Sequence, residues 1–84
     1  VELLTREGCH LCAVVEETVA EVCCERGTGW VVIDLDRQGD PDLLARWTDL
    51  VPVVLVDGIE VAHWELDPRI LRRALGRRRR LWPL

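Results

Sequence analysis

A cysteine pair three positions apart, Cys9-His10-Leu11-Cys12, stands between the short apolar run Val1–Thr5 and a stretch of helical periodicity that begins at Leu11. Few folds use that junction. Arg6-Glu7-Gly8 reads as the turn between a strand and a helix, and Cys9 opens the helix. A spacing of three places both sulfurs on the first helical turn, close enough to bridge without unwinding it. The unpaired N–H groups and the dipole at a helix start stabilise a thiolate. The pKa of Cys9 is thereby expected to fall, and its reactivity at neutral pH to rise. Cys12, one turn inward, is placed to attack a mixed disulfide formed at Cys9. The same geometry serves the reverse reaction, donation of the disulfide.

A Cys-x-x-Cys also occurs as half of a zinc site, so the other cysteines matter. Cys23 and Cys24 fall in the same apparent helix, about eleven residues beyond Cys12, a separation of roughly 16 Å at helical rise. Four thiolates on one zinc need much shorter distances, and no metal site is expected. A secreted disulfide scaffold spreads its bridges through the chain, whereas all four cysteines here lie in the first third. Cys23 is expected to be buried as an apolar filler, Cys24 to be partly exposed, and the adjacent pair not to bridge.

From Leu11 to about Cys24, apolar residues at 11, 15, 19, 22 and 23 alternate with Glu16, Glu17, Glu21 and Glu25, an amphipathic helix ended by Gly27. Trp30–Asp36 is rich in β-branched residues and predicts a strand covered on both faces. Asp40-Pro41 offers a cap with proline at the first helical position, and Leu43, Leu44 and Trp47 line the short helix that follows. Val51-Pro52 leads into a third strand, Val53–Val56. Asp57-Gly58 marks a two-residue hairpin, and Ile59–Trp64 returns as the fourth strand. Asp67-Pro68 repeats the cap, and a last helix with Ile70, Leu71, Ala74 and Leu75 is expected to stop near Gly76.

The order β-α-β-α-β-β-α implies a parallel pair across the first crossover and an antiparallel hairpin at the end. A mixed four-stranded sheet with helices on its faces is the expected α/β architecture, in the thioredoxin-like arrangement. Eighty-four residues suffice for one domain, read as 1–76 with an arginine-rich tail at 77–84.

All eleven basic residues are arginine, and residues 1–76 hold seven of them against fifteen acids, a net −8. So acidic a body argues against a broad nucleic-acid surface. Apolar runs are far too short for a membrane span. No basic-then-apolar leader precedes the first strand, so a cytoplasmic, reduced monomer is expected, although a chain beginning at Val1 leaves processing open.

The runs Leu3–Cys12 and Val51–Gly58 together resemble the glutaredoxin family, and more narrowly its short members with Cys-His-Leu-Cys in place of Cys-Pro-Tyr-Cys. The resemblance implies a thioredoxin-like fold, with Cys9 as nucleophile and Cys12 as resolving residue. It also implies a cis peptide bond at Val51-Pro52, with backbone there offered to an extended thiol substrate. Arg6 takes the place of the basic residue that contacts the glutathione carboxylate. His10 and Leu11 flank the nucleophile. The family's glycine pair is replaced by Ala62 and His63, and Glu65 is one of two acids, with Asp67, left to hold a small thiol. Disulfide exchange is thus expected without a bound cofactor. Glutathione or another low-molecular-weight thiol is a possible co-substrate, and a disulfide-containing protein a possible partner. A flavoprotein reductase could regenerate the dithiol. The rival readings are a binding or structural protein that keeps the fold, and an iron–sulfur carrier with Cys9 as ligand.

Overall fold

The computed structural model describes residues 1–79 of the chain. Its elements are β1 (Glu2–Thr5), α1 (His10–Arg26), β2 (Val31–Asp34), α2 (Leu35–Gln38), α3 (Pro41–Trp47), β3 (Val53–Val56), β4 (Ile59–His63) and α4 (Pro68–Arg79). The four strands form one sheet in the order β2-β1-β3-β4. β1 runs parallel to β2 and antiparallel to β3, and β3 and β4 form the hairpin. The mixed four-stranded sheet and the thioredoxin-like arrangement are therefore as the sequence implies, with α2 as an added turn of helix.

Because successive strand residues point to opposite faces, Leu3 and Leu4 of β1 enter different cores. Leu3 joins Val54 and Val56 under α1 and α4, where Val15, Val19, Val22, Leu71 and Leu75 close over them. Leu4 joins Val53 on the other face, beneath Leu35 and Trp47. The register Leu3↔Val54 and Leu4↔Val53 fixes this division. One extra residue in β4 between Glu60 and Ala62 shifts the hairpin ladder, the signature of a β-bulge. The hairpin turn has positive φ at both Asp57 (53°) and Gly58 (81°), the geometry that Asp-Gly favours between strands.

α1 begins at the cysteine pair and ends at Gly27, whose φ of 64° is left-handed and whose N–H donates back to the carbonyls of Cys23 and Cys24. Asp40 caps α3 by accepting from Asp42 N and Leu43 N. At α4, Asp67 accepts from the Arg69 N–H at 2.9 Å.

Three expectations are corrected. The strand read as Trp30–Asp36 is only Val31–Asp34, because the Asp34 carboxylate accepts from Asp36 N at 2.9 Å and turns the chain into α2. β2 is also an edge strand: Val31 and Val32 are exposed rather than covered on both faces. The last helix does not stop near Gly76 but continues to Arg79. A glycine inside a helix costs only about 1 kcal/mol relative to alanine, too little to end one held by Leu71, Ala74 and Leu75. The expected tail therefore starts within α4, and its remainder, residues 80–84, lies outside the described residues.

Candidate active site

Cys9 and Cys12 form a disulfide, with Cα atoms 5.4 Å apart. Cys9 is the N-cap of α1 in extended backbone conformation, and its sulfur accepts the Cys12 N–H at 3.2 Å. A thiolate left at Cys9 on reduction inherits that donor and the positive end of a seventeen-residue helix. Cys12 is buried at 6% exposure, whereas Cys9 is partly exposed. The two sulfurs are thus unequal in access and in charge stabilisation. His10 is the first, exposed residue of the helix. Leu11 shares none of the burial of Val15, Val19 and Val22, and stands 52% exposed beside the disulfide.

Antiparallel pairing of β1 and β3 brings the end of β1 beside the start of β3, since Leu4 lies opposite Val53. The turn that delivers Cys9 and the Val51-Pro52 segment therefore lie at the same end of the two inner strands. The Val51-Pro52 bond is cis, as the resemblance implies. The Pro52 carbonyl accepts the Trp64 N–H at 2.9 Å, so the segment after β4 is tied to the proline.

The sequence reading places Trp64 at the end of the fourth strand, either as an ordinary strand residue or exposed for a partner. The structure puts it just beyond β4, with φ 67°. The Glu65 N–H donates to the His63 carbonyl at 2.8 Å across it. That is a γ-turn of the rare hand, and a bulky residue there stores strain of order 1–3 kcal/mol. Further contacts hold it in place. The indole Nε1–H donates to the Asp49 carbonyl at 2.9 Å. The His63 ring meets the indole edge-on at 4.8 Å, and His63 Nδ1 lies 2.6 Å from Glu60 Oε2. Nothing in composition or periodicity marks such a turn.

Arg6 is engaged within the chain. Its Nε and Nη2 donate to Asp36 Oδ1 at 3.2 and 2.8 Å, and Nη1 donates to the Thr48 hydroxyl. Asp36 Oδ2 accepts the Glu7 N–H at 2.9 Å. The Arg6 hydrogen bonds, with that N–H in support, hold the Asp36 carboxyl below the ordinary aspartate range. Asp36 in turn raises Arg6. Sequence inspection could not pair two charges thirty residues apart. Glu65 is exposed beside Trp64, and its hydrogen bonds and ion pairs do not include Arg6, which is given to Asp36 and Thr48. Ala62 and His63 are both half-buried.

Cys23 is fully buried and Cys24 exposed, and both are free. Burial pushes the Cys23 thiol up. Among the described residues no group of three or more His, Cys, Asp or Glu side chains is placed to hold a metal ion. No helix among them is long and apolar enough to cross a membrane.

A bridged cysteine pair capping a helix, on this sheet, defines a thiol–disulfide oxidoreductase of the thioredoxin-like class. Comparison with known proteins narrows the class: the chain belongs to the family described as Glutaredoxin-like domain (DUF836), which it matches over residues 1–76. It is 45% identical over 80 residues to an uncharacterized protein of Mycobacterium bovis, across 92% of this chain and 82% of that one. Uncharacterized proteins from two strains of Mycobacterium tuberculosis match to the same extent. In three dimensions it is similar to thioredoxin 1 from the thermophilic eubacterium Thermosipho africanus, with a TM-score of 0.63 over 95% of this chain and 93% of that one. At 15% identity that likeness speaks for the fold alone.

Proposed function

We propose that Cys9 is the nucleophile and Cys12 the resolving residue, and that the dithiol reduces disulfides in proteins in preference to glutathione mixed disulfides. The observation that carries this reading is the asymmetry of the pair: Cys9 is the more accessible sulfur and receives the Cys12 N–H. In the reducing direction the Cys9 thiolate attacks one sulfur of the substrate disulfide. That S–S bond breaks, the leaving thiolate takes a proton, and a Cys9 mixed disulfide remains. The Cys12 thiolate then attacks the Cys9 sulfur, forms the Cys9–Cys12 disulfide and releases the second thiol. Two electrons pass from dithiol to substrate. A small thiol or a flavoprotein reductase restores the dithiol.

Weak use of glutathione is supported by two features. Three of the five N–H donors of the Arg6 guanidinium are committed to Asp36 and Thr48, and the Asp36 carboxylate offsets its charge, so an incoming carboxylate meets a weakened cationic site. Ala62 and His63 add side chains where the family has glycines. Val51, set by the Pro52 bond, offers backbone to an extended substrate, His10 and Leu11 border the nucleophile, and Glu65 borders the approach. The reaction takes place in a reduced, cytoplasmic setting.

Replacing Cys12 with serine tests the assignment. The variant is expected to trap a persistent mixed disulfide at Cys9 with a disulfide-bonded protein, identified by mass spectrometry, while Cys9→Ser traps nothing. A Cys9→Ser variant that reacts as fast as the parent, beside an inert Cys12→Ser variant, reverses the roles. Turnover of a glutathionylated peptide equal to that of a protein disulfide removes the substrate preference.

A further inference from the structure

The turn that delivers Cys9 is held from outside itself. Its own closing bond, from the Cys9 N–H to the Arg6 carbonyl, is 3.3 Å long, past the ordinary span for such a bond. Glu7 and Gly8 at its tip are exposed. Gly8 has the left-handed φ of 78° that the third position of a type II turn needs, and a Cβ there would meet open space. Packing therefore does not fix the turn. The shorter ties come from Asp36, thirty residues on. One oxygen of its carboxylate accepts Arg6 Nε and Nη2 at 3.2 and 2.8 Å, and the other accepts the Glu7 N–H at 2.9 Å. One side chain thus grips two consecutive residues of the turn. Asp36 is fixed in its own right, because it follows buried Leu35 and its N–H is bound by the Asp34 carboxylate at 2.9 Å. The Arg6 bond to Thr48 ties the same turn to the C-cap of α3.

We propose that Asp36 is a positioning residue for Cys9: by gripping Arg6 and Glu7 it keeps the nucleophile's sulfur on the Cys12 N–H at the start of α1. The proposal rests on the dithiol reading above and adds to its site a residue from α2. The sulfur accepts that N–H while Cys9 stays in its extended N-cap conformation, at φ −82° and ψ 106°. A turn that drifts withdraws the thiolate from the N–H and from the positive end of the helix, the two features that stabilise it. Position and charge act here with opposite signs. A carboxylate acting through its charge alone disfavours a thiolate, so its removal lowers the Cys9 pKa. A brace that is removed raises it.

The test uses reduced protein carrying Cys12→Ser, whose backbone N–H at position 12 is retained. Cys9 is alkylated with iodoacetamide over a range of pH and read by mass spectrometry. The thiolate displaces iodide, so the rate follows the thiolate fraction. Asp36→Ala in that background is expected to raise the apparent Cys9 pKa by about half a unit and to slow alkylation below it about threefold, the scale of one helix-terminus contribution. Asp36→Asn keeps an acceptor for the Glu7 N–H without the ion pair, and a smaller rise is expected. Exposed Cys24, at the far end of the same helix, keeps its rate in both. Circular dichroism shows which variants are folded, and should Asp36→Ala fail, the sign for Asp36→Asn decides. A Cys9 pKa unchanged or lowered in a folded variant, or an equal slowing at Cys24, overturns the positioning role and leaves the dithiol reading intact. A parent Cys9 with the ordinary thiol pKa of about 8.5 overturns the dithiol reading and the positioning role with it.

Discussion

On one face of the sheet, α1 and α4 bury ten of the described residues in a single cluster that includes Leu3, Val19, Cys23, Val54 and Leu71. On the other, α2 and α3 bury four of the described residues, Leu4, Leu35, Trp47 and Val53. The deficit on the second face is met by polar ties: Arg6 to Asp36 and Thr48, the Trp64 indole to Asp49, and the Arg46 guanidinium 4.7 Å above the Trp47 ring. Burial holds the first face, and the second adds directional contacts that water can compete for to a smaller buried cluster with half-buried residues such as Ile33, Leu44 and Leu55 packed on it. Cys9 sits where the two meet, its helix anchored in the thick core and its preceding turn clamped to the thin side.

The largest expected contrast is between the two free thiols of α1. Cys24 is exposed and should react with an alkylating reagent at once. Cys23 opens only with the thick face, so its native-state labelling should be slower by roughly three orders of magnitude or more. Comparable rates mean that the thick face opens locally. The raised pKa of Cys23 adds a pH sign. Its neutral form is favoured in the fold, so that contribution is complete below the ordinary thiol pKa of about 8.5. It is lost as pH rises through the higher folded value, and urea midpoints should fall on the alkaline side.

Next in size is Leu71→Ala, which empties a fully buried site under α1 and should cost roughly 3 kcal/mol. Leu44→Ala, at a half-buried position of α3, should cost about 1 kcal/mol, as expected where much of the side chain is already solvated. Urea unfolding of the two variants measures the difference between the faces, and equal losses erase it.

A smaller, local effect is expected from Asp36→Asn, read by amide hydrogen exchange. Exchange should quicken at Glu7 and across α2 and α3, while the amides of Val19 and Leu71 keep the global rate. Acid should do the same to the unsubstituted protein. Because the Asp36 pKa is depressed in the fold, its stabilisation is complete above the ordinary aspartate pKa of about 3.9. It is lost as pH falls through the lower folded value. Uniform quickening over the whole chain means that the clamp is global. The smallest effect belongs to Arg72→Ala, which removes the exposed pair with Glu25 between α1 and α4. A solvent-screened pair contributes little, so the urea midpoint should scarcely move, and a clear fall shows that the thick face also depends on polar ties.

What the sequence made legible follows from how local each signal is. The Asp57-Gly58 turn, the Asp40-Pro41 and Asp67-Pro68 caps and the Gly27 stop are set by neighbouring residues, and each lies where local chemistry places it. The cysteine pair was readable because a strand and a helix flank it directly. What escaped depends on distant partners. Val31 and Val32 looked like core residues, but strand order leaves them on an edge. Leu35 and Asp36 looked like more strand until Asp34 capped them. Arg6 matched the family's cationic position, and only the fold reveals Asp36 and Thr48 already bound to it. Trp64 fitted a strand pattern, whereas its turn is enforced by Pro52 and Asp49.

The two-sided pairing of β1 also bears on how the chain reaches this structure. Glu2 aligns with Val31 on one side and with Leu55 on the other, so both neighbours of the strand that delivers Cys9 come from far along the chain. The β3–β4 hairpin, by contrast, closes over two residues. Loop-closure entropy penalises the distant pairings before any contact rewards them. The hairpin and the separate helices can therefore form early, while insertion of β1 between β2 and β3 is the late event that completes both cores together. The redox centre, attached to that strand, meets the Val51-Pro52 segment only in the final closure.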